Sequence, residues 1–270
     1  MKQFFKDWLL PPKVIDFLQT KHSLYNTKKL DLSILEKNKE LKDKYKGKRC
    51  FVLGNAPSIN NIDITLLKDE YVFVTNSFYN HPDFKTLKPI FHSCVKVPFN
   101  TEGKTKVLSA MSNNVLKDSD IFLNLADKYI VDNNQLFLQN NVYYIATANI
   151  DREYRLDKIT RDNRTNMLQV LEIAIYLGFS EIYLHGIDLD EACKGQYHYG
   201  FLNKLVVKDI TNENGISTRT QSDVFYNASL TYKEFETIQS TAFKKQIIIN
   251  NLNEKSMLKM FPTVSLKDII

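Results

Sequence analysis

The residues able to do chemistry sit where short apolar runs end. Cys50-Phe51-Val52-Leu53 gives way to Gly54-Asn55-Ala56-Pro57-Ser58. Gly54 lets the backbone turn sharply, so main-chain amides there can approach a phosphate. Asn55 offers both a donor and an acceptor. Pro57 fixes the start of the next segment and Ser58 can cap it. Asn76 and Ser77 end the run from Tyr71, His92 and Ser93 the run from Pro89, and Asp188 and Asp190 follow Glu181–His185. Asn250 and Asn251 close the last run. Ligands of open α/β sheets lie beyond the carboxyl ends of the strands. A ring of small polar residues there suits a nucleotide or a sugar. The first loop is not a dinucleotide fingerprint, because Asn76 stands where an acid belongs, and it lacks the Gly-Lys-Ser/Thr of a P-loop. A tight structural turn explains it equally well.

Group transfer to a hydroxyl at such a site needs a residue to take the hydroxyl's proton. His198, inside Tyr197-His198-Tyr199-Gly200, is the first choice, because imidazole titrates near working pH. A loop histidine in solvent is its plain alternative. Asp188 is the second choice of base, against a role in tying down a neighbouring loop. His185 lies within an apolar run and reads as a core histidine. His92 reads as either structural or binding. Arg161 and Arg164 precede a helix and can hold a phosphate or a sugar carboxylate by paired hydrogen bonds. Asp188 and Asp190 also have the DxD spacing of a Mg²⁺ or Mn²⁺ site.

The elements that must position these groups read as follows. Strands are predicted at Cys50–Leu53, Tyr71–Thr75, Pro89–Ser93, Asp120–Leu125, Val142–Ile145, Glu181–His185 and Ile247–Asn250, with a helix or turn over Ile59–Leu67. Asn166–Gly178 has helical spacing, with Gly178 as its stop. Helix, glycine, strand, glycine and acid in succession are the βα alternation of a doubly wound sheet. Lys194–Asn227, polar and glycine-containing, reads as a long loop or lid. Ser229–Gln246 reads as a second amphipathic helix capped by Ser229 or Thr231, and Lys37–Lys48 as a solvated helix.

The whole composition bounds the function. The chain has 270 residues, 43% hydrophobic, with a net charge of +5, and much of the Lys excess falls before Arg49. That is a globular protein with a mild preference for anionic partners, not a nucleic-acid binder. Its three cysteines, Cys50, Cys94 and Cys193, form no metal cluster and suit free thiols in a cytoplasm. No apolar run is long enough to span a membrane. Met1–Asn26 mixes Phe4, Phe5, Trp8, Phe17 and Leu18 with Lys2, Lys6 and Lys13. Such an arm suits an anionic membrane surface, or else packing on the domain or on a second subunit.

Three blocks carry a resemblance. Gly54-Asn55-Ala56-Pro57-Ser58 with Asn76-Ser77-Phe78-Tyr79 resembles the opening of the small bacterial CMP-sialic acid sialyltransferases. Ala174–Asp188, reading AIYLGFSEIYLHGID, is very close to a second block of that family. Asn250–Leu258, through Ser256 and Leu258, is similar to its closing segment. The blocks run in the family's order across Arg49–Phe261. The same blocks also resemble the archaeal-type 6-hydroxymethylpterin diphosphokinase-like family, whose glycan-locus members carry a His-Phe-Tyr-Gly run; here Tyr197–Gly200 is the equivalent. The sialyltransferases place a histidine further downstream, and no His follows His198. Asp190 stands where the first of their phosphate-binding tyrosines is expected, and Tyr197 roughly matches the second.

The resemblance implies a Rossmann-like α/β fold: a mostly parallel sheet with helices on both faces, a single-domain GT-A-like variant with a lid at about 194–228. An N-terminal helical arm, 1–48, would precede the catalytic domain, 49–270. The implied activity is inverting transfer of a sugar, sialic acid or a related acidic sugar, from a CMP donor to a bacterial surface glycan such as lipooligosaccharide or capsule. Gly54, Asn55, Ala56, Pro57, Ser58, Asn76, Ser93, Asn166, Gly186, Asp190 and Ser256 would bind the nucleotide. Arg161, Arg164 and Tyr197 would take its phosphate or the sugar's carboxylate, and His198 or Asp188 would be catalytic. No metal is implied. The partners would be the donor, the acceptor glycan, a membrane surface at the inner face of the cell and, in an oligomer, further copies of the chain. The alternatives are an ATP- and Mg²⁺-dependent pyrophosphokinase, and a non-catalytic nucleotide- or glycan-binding protein of polysaccharide assembly.

Overall fold

The structure, a computed structural model, describes residues 12–97, 99–151, 154–194, 200–201 and 220–270. Its centre is a seven-stranded sheet. The strands are β1 (Arg49–Leu53), β2 (Val72–Thr75), β3 (Phe91–Cys94), β4 (Asp120–Asn124) and β5 (Asn141–Ile145), then β8 (Glu181–His185) and β9 (Ile248–Asn251). Their order is β5-β4-β3-β2-β1-β8-β9, and every pair is parallel. The short β6 (Thr147–Ala148) and β7 (Thr160–Arg161) pair beside it and are absent from the sequence reading. The chain therefore runs outward from β1 in one direction to β5, then returns and continues from β8 on β1's other side. The switch point lies between β1 and β8.

Both faces of the sheet are covered, which is why its strands read as continuous apolar runs. Cys50, Val52 and Phe73 pack into one core with Leu168, Leu171 and Ile175. Those helical residues belong to a helix, Asn166–Tyr176, that is buried on all sides. It lies between the sheet and a long helix, Gln221–Lys244, whose Phe235 and Ile238 reach the same core. On the other face Phe51, Leu53, Val72 and Val74 pack with Ile59, Ile64 and Leu67. That apolar burial, at about 25 cal/mol per Å² removed from water, drives the layering.

Three expectations are corrected. The charged segment after Leu30 is not a solvated helix over Lys37–Lys48; it is a 3₁₀ helix at Leu32–Leu41 with Leu35, Asn38 and Leu41 buried. Asn38 donates to the carbonyls of Tyr144 and Leu156, both at 2.7 Å, so this segment covers the β5 edge. The last helix begins at Gln221 rather than near Ser229, and Thr220 caps it with Asp223 in a reciprocal box. Its start removes 221–228 from the predicted lid. Ile59–Leu67 resolves into two 3₁₀ turns, Pro57–Asn61 and Ile64–Leu67.

In chain order the α-helices are α1 (Pro12–Lys28), α2 (Phe84–Leu87), α3 (Thr101–Asn114), α4 (Lys128–Asn133), α5 (Asn166–Tyr176), α6 (Glu191–Lys194) and α7 (Gln221–Lys244). α1 is fastened beside β6: Thr27 Oγ1 donates to the Thr147 carbonyl at 2.8 Å, and Ser23 Oγ accepts from Asn149 N at 3.0 Å. No helix among the described residues is long and apolar enough to cross a membrane.

Candidate functional site

The switch point holds a crevice of about 160 Å³, lined by Asn55, Ala56, Thr75, Asn76, Thr165, Asn166, Met167, Gly186, Ile187, Asp188 and Leu189. Gly186 lines it, and Gly54 packs directly against Gly186. A Cβ on Gly54 would lie 2.2 Å from the Gly186 oxygen, and one on Gly186 would lie 2.4 Å from the Gly54 oxygen. Gly186 also has φ +69°. The β1 and β8 chain ends thus touch backbone to backbone, and no side chain fits between them.

The 54–58 loop is fixed along its length by β8. Gly54 N donates to the His185 carbonyl at 2.8 Å and Ala56 N to the Gly186 carbonyl at 3.0 Å. Ser58 N donates to Asp188 Oδ2 at 3.2 Å, and His185 Nε2 donates to the Ser58 carbonyl at 2.7 Å. Asp188 Oδ1 accepts from Asn253 Nδ2 at 2.9 Å. Asp188 is buried and joins three segments of the chain, the loop after β1, the turn after β8 and the turn after β9. Ser256 does not line the crevice; it ties the turn after β8 to the segment after β9, donating to the Ile187 carbonyl at 2.7 Å and accepting from Leu258 N at 3.2 Å.

Asn76 forms the opposite wall. Its φ is +50°, a region that Asn tolerates better than most residues. Asn166 Nδ2 donates to Asn76 Oδ1 at 2.7 Å, and His92 Nε2 donates to the Asn76 carbonyl, also at 2.7 Å. Asn166 in turn clasps Lys96, donating to its carbonyl at 3.0 Å and accepting from its amide at 2.8 Å. Two asparagines therefore lock the end of β2 to the first turn of α5. Thr165 caps that turn through Leu168 N at 3.2 Å. The α5 N-terminus faces the crevice and favours an anion there.

Several buried polar atoms near these strand ends lack a partner among the described residues, Ser58 Oγ, His92 Nδ1, Ser93 Oγ and His185 Nδ1 among them, and the one on a residue that lines the crevice is Asn55 Oδ1. Asn55 is 3% exposed; its Nδ2 reaches the Thr75 carbonyl at 3.4 Å, while its Oδ1 has no partner among the described residues. A buried unpaired amide oxygen costs free energy, on the order of 1–3 kcal/mol. A ligand that donates a hydrogen bond would recover it.

The two buried histidines are held neutral. Burial pushes His92 down to about 4, against the bond to the Asn76 carbonyl, which raises it. Burial also lowers His185, opposed by its bond to Ser58 and by Asp188. Each donates from Nε2 to a carbonyl and so braces a loop; in the neutral ring this fixes the Nε2–H tautomer.

Of the residues expected at the site, the structure gathers Gly54, Asn55, Ala56, Asn76, Asn166, Gly186 and Asp188 around one crevice. Pro57 opens the 3₁₀ turn beside it, and Ser58 is buried off the crevice with its amide bonded to Asp188. Ser93 is fully buried at the end of β3 and does not line the crevice. Asp190 stands just before α6. His198, Tyr197 and Tyr199 lie outside the described residues. The arginines are placed elsewhere. Arg161 donates to Glu172 at 2.6 Å and lines a separate cavity of about 220 Å³, between α5 and α7. Arg164 donates to Asn227 at 3.3 Å and lies 3.5 Å from Glu234 of α7. Thr75, Thr165, Met167 and Leu189 line the crevice without having been singled out in the sequence. Thr165, as the residue before an apolar helical run, was the legible one. Among the described residues no cluster of His, Cys, Asp or Glu could hold a metal ion.

No protein-family model and no curated protein sequence matches the chain. Several solved structures are similar to it. The MAf glycosyltransferase from Magnetospirillum magneticum AMB-1 aligns with a TM-score of 0.53 at 15% identity, over 83% of this chain and 35% of that one. The sialyltransferase CstII from Campylobacter jejuni, in complex with cytidine-5'-monophosphate, aligns with a TM-score of 0.47 at 19% identity, over 82% of this chain and 86% of that one. The monofunctional alpha-2,3-sialyltransferase Cst-I from the same organism gives 0.49 at 22% identity, over 80% of each chain. The likeness to the MAf glycosyltransferase is one of fold, a Rossmann-like α/β domain.

Proposed function

We infer that the chain is a glycosyltransferase that draws on a nucleotide-activated sugar, with the nucleotide seated in the crevice between β1 and β8. One observation carries the reading: a crevice edged by Asn55, Asn76, Asn166 and Asp188 lies at the topological switch point, with the buried Asn55 Oδ1 lacking a partner among the described residues and the α5 N-terminus facing in. The hydroxyls of a ribose, or the amine of a base, would supply the missing donor. A phosphate would lie against the α5 N-terminus. The sequence blocks resembling the CMP-sialic acid sialyltransferases support a CMP donor and an acidic sugar.

In the proposed reaction the acceptor hydroxyl oxygen attacks the anomeric carbon of the donor sugar. The bond from that carbon to the phosphate oxygen breaks, and CMP leaves with the electron pair. His198 takes the acceptor's proton, and the configuration inverts. No metal is required where the leaving group is a monophosphate met by backbone amides. The full-length chain, incubated with CMP-activated sialic acid and a galactose-ended acceptor, should release CMP in step with glycoside formation. His198→Ala should lower turnover by about 10²-fold with donor affinity retained. AMP release from ATP and Mg²⁺ on a pterin alcohol, with no CMP released from the sugar donor, would replace this reading by the pyrophosphokinase.

A further inference from the structure

α1 carries a face that nothing among the described residues covers. Val14, Phe17, Leu18 and Tyr25 are exposed, Phe17 and Tyr25 at 58% and 61%. Their spacing of three, four and seven or eight residues places them on one side of a helix. Lys21 and Lys28 fall on the same side, also exposed. Lys21 Nζ lies 5.4 Å from the Phe17 ring centre, and Lys29 Nζ lies 4.2 Å from that of Tyr25. The packed side is different: Thr27 is buried, and Ser23 and Thr27 make the bonds to Asn149 and Thr147. Helix α1 is therefore anchored by its small polar residues and presents its aromatics and lysines outward.

We propose that this face of α1 seats the protein on a membrane surface rich in anionic phospholipid. Chemistry selects that occupant. The apolar side chains are large and flanked by long amines, which can lie along the acyl boundary while their charged ends reach the phosphates. A second copy fits the face poorly. Asp16, α1's carboxylate, falls away from the stripe by helical spacing, so two such faces would oppose lysine to lysine without an acid between them. The position also suits an enzyme acting at a surface. α1 is fastened to β6, which follows the carboxyl end of β5, and the crevice lies at the carboxyl ends of β1 and β8. Both are on one edge of the sheet. β5 and β1 are separated by four strand spacings, about 19 Å at ~4.8 Å each. Attachment through α1 would hold the crevice near the surface on which a lipid-carried glycan lies; this last point alone rests on the transferase reading.

The test is vesicle sedimentation of the full-length chain, without nucleotide, on phosphatidylcholine vesicles with and without 30% phosphatidylglycerol (about a third anionic lipid, enough to set a strong surface potential). Binding should need the anionic lipid and weaken with salt. Lys21→Ala with Lys28→Ala should reduce partitioning roughly 30-fold, at about 1 kcal/mol per lysine. Phe17→Ala with Leu18→Ala should reduce it comparably, with circular dichroism and the melting temperature unchanged because these side chains are exposed. Equal binding to both vesicle types, or binding untouched by either pair of substitutions, overturns the proposal. So does a concentration-dependent dimer in solution that Phe17→Glu dissociates, which would assign the face to a second copy.

Discussion

Asn76 couples conformation to function most tightly. Its left-handed backbone costs an ordinary residue about 1–2 kcal/mol, and its side chain is held by Asn166 inside the crevice. Asn76→Gly separates these roles, because glycine keeps the backbone and removes only the amide. Nucleotide affinity should fall while the melting temperature changes by only a few degrees. Asn76→Ala should lose both. Equal nucleotide affinity in Asn76→Gly and the parent would take Asn76 out of the site.

Asp188 invites a similar separation. Its carboxylate is occupied by Ser58 N and Asn253 Nδ2, which makes it a tie between loops. Asp188→Asn keeps an acceptor for Ser58 and should retain most turnover. Asp188→Ala leaves buried donors unpaired and should cost on the order of 1–3 kcal/mol of stability, with weaker donor binding. A turnover loss of about 10²-fold in Asp188→Asn, with donor affinity and melting temperature intact, would instead mark the aspartate as the proton acceptor. The strand-end residues after β1, β2 and β8 were legible because those apolar runs stop abruptly at Gly54, Asn76 and Gly186. The orphaned Asn55 oxygen was not, since satisfaction of an amide depends on neighbours from β2 and β8 that only the fold brings near.

Among the elements, α5 has an acid built into its apolar body. Glu172 is buried, and burial raises its carboxyl to about 7, although Arg161 and Asn163 both pull it down. A carboxyl raised above its unfolded value of 4.5 favours the native state while protonated. Its contribution is therefore full below about pH 4.5 and is lost as pH rises to about 7, up to roughly 3 kcal/mol over that window. Denaturant unfolding from pH 4.5 to 7.5 should show this decline, and Glu172→Gln should flatten it. A parent whose stability rises over the same window as steeply as the Gln variant's would contradict the assignment. α5 itself was readable, since its apolar residues and the Gly178 stop are strong local signals. The start of α7 was not: its first turns, Gln221–Asn227, lie largely exposed and show no apolar period. Thr220 and Asp223 carried the signal as a capping box. Leu35, Asn38 and Leu41 recur every third residue, the 3₁₀ period, within a segment whose charge disguised it as solvated helix.

At the scale of the whole molecule, the parallel sheet places the loops after β1, β2 and β8 along one edge, and the outward-then-return strand order opens the crevice between β1 and β8. The βα alternation in the sequence was enough to predict such a sheet. It could not predict that the two arginines before α5 would turn toward Glu172 and Glu234 rather than the crevice, because that depends on how α7 packs. In the proposed function a cytidine monophosphate group occupies the crevice. Isothermal titration of the full-length chain with CMP, in EDTA and at fixed salt, tests it most directly. Saturable one-to-one binding is expected, weakened by about tenfold in Asn55→Ala, the scale of one lost hydrogen bond to a buried amide. No heat with CMP while ATP and Mg²⁺ bind, or CMP binding that Asn55→Ala leaves unchanged, would contradict it.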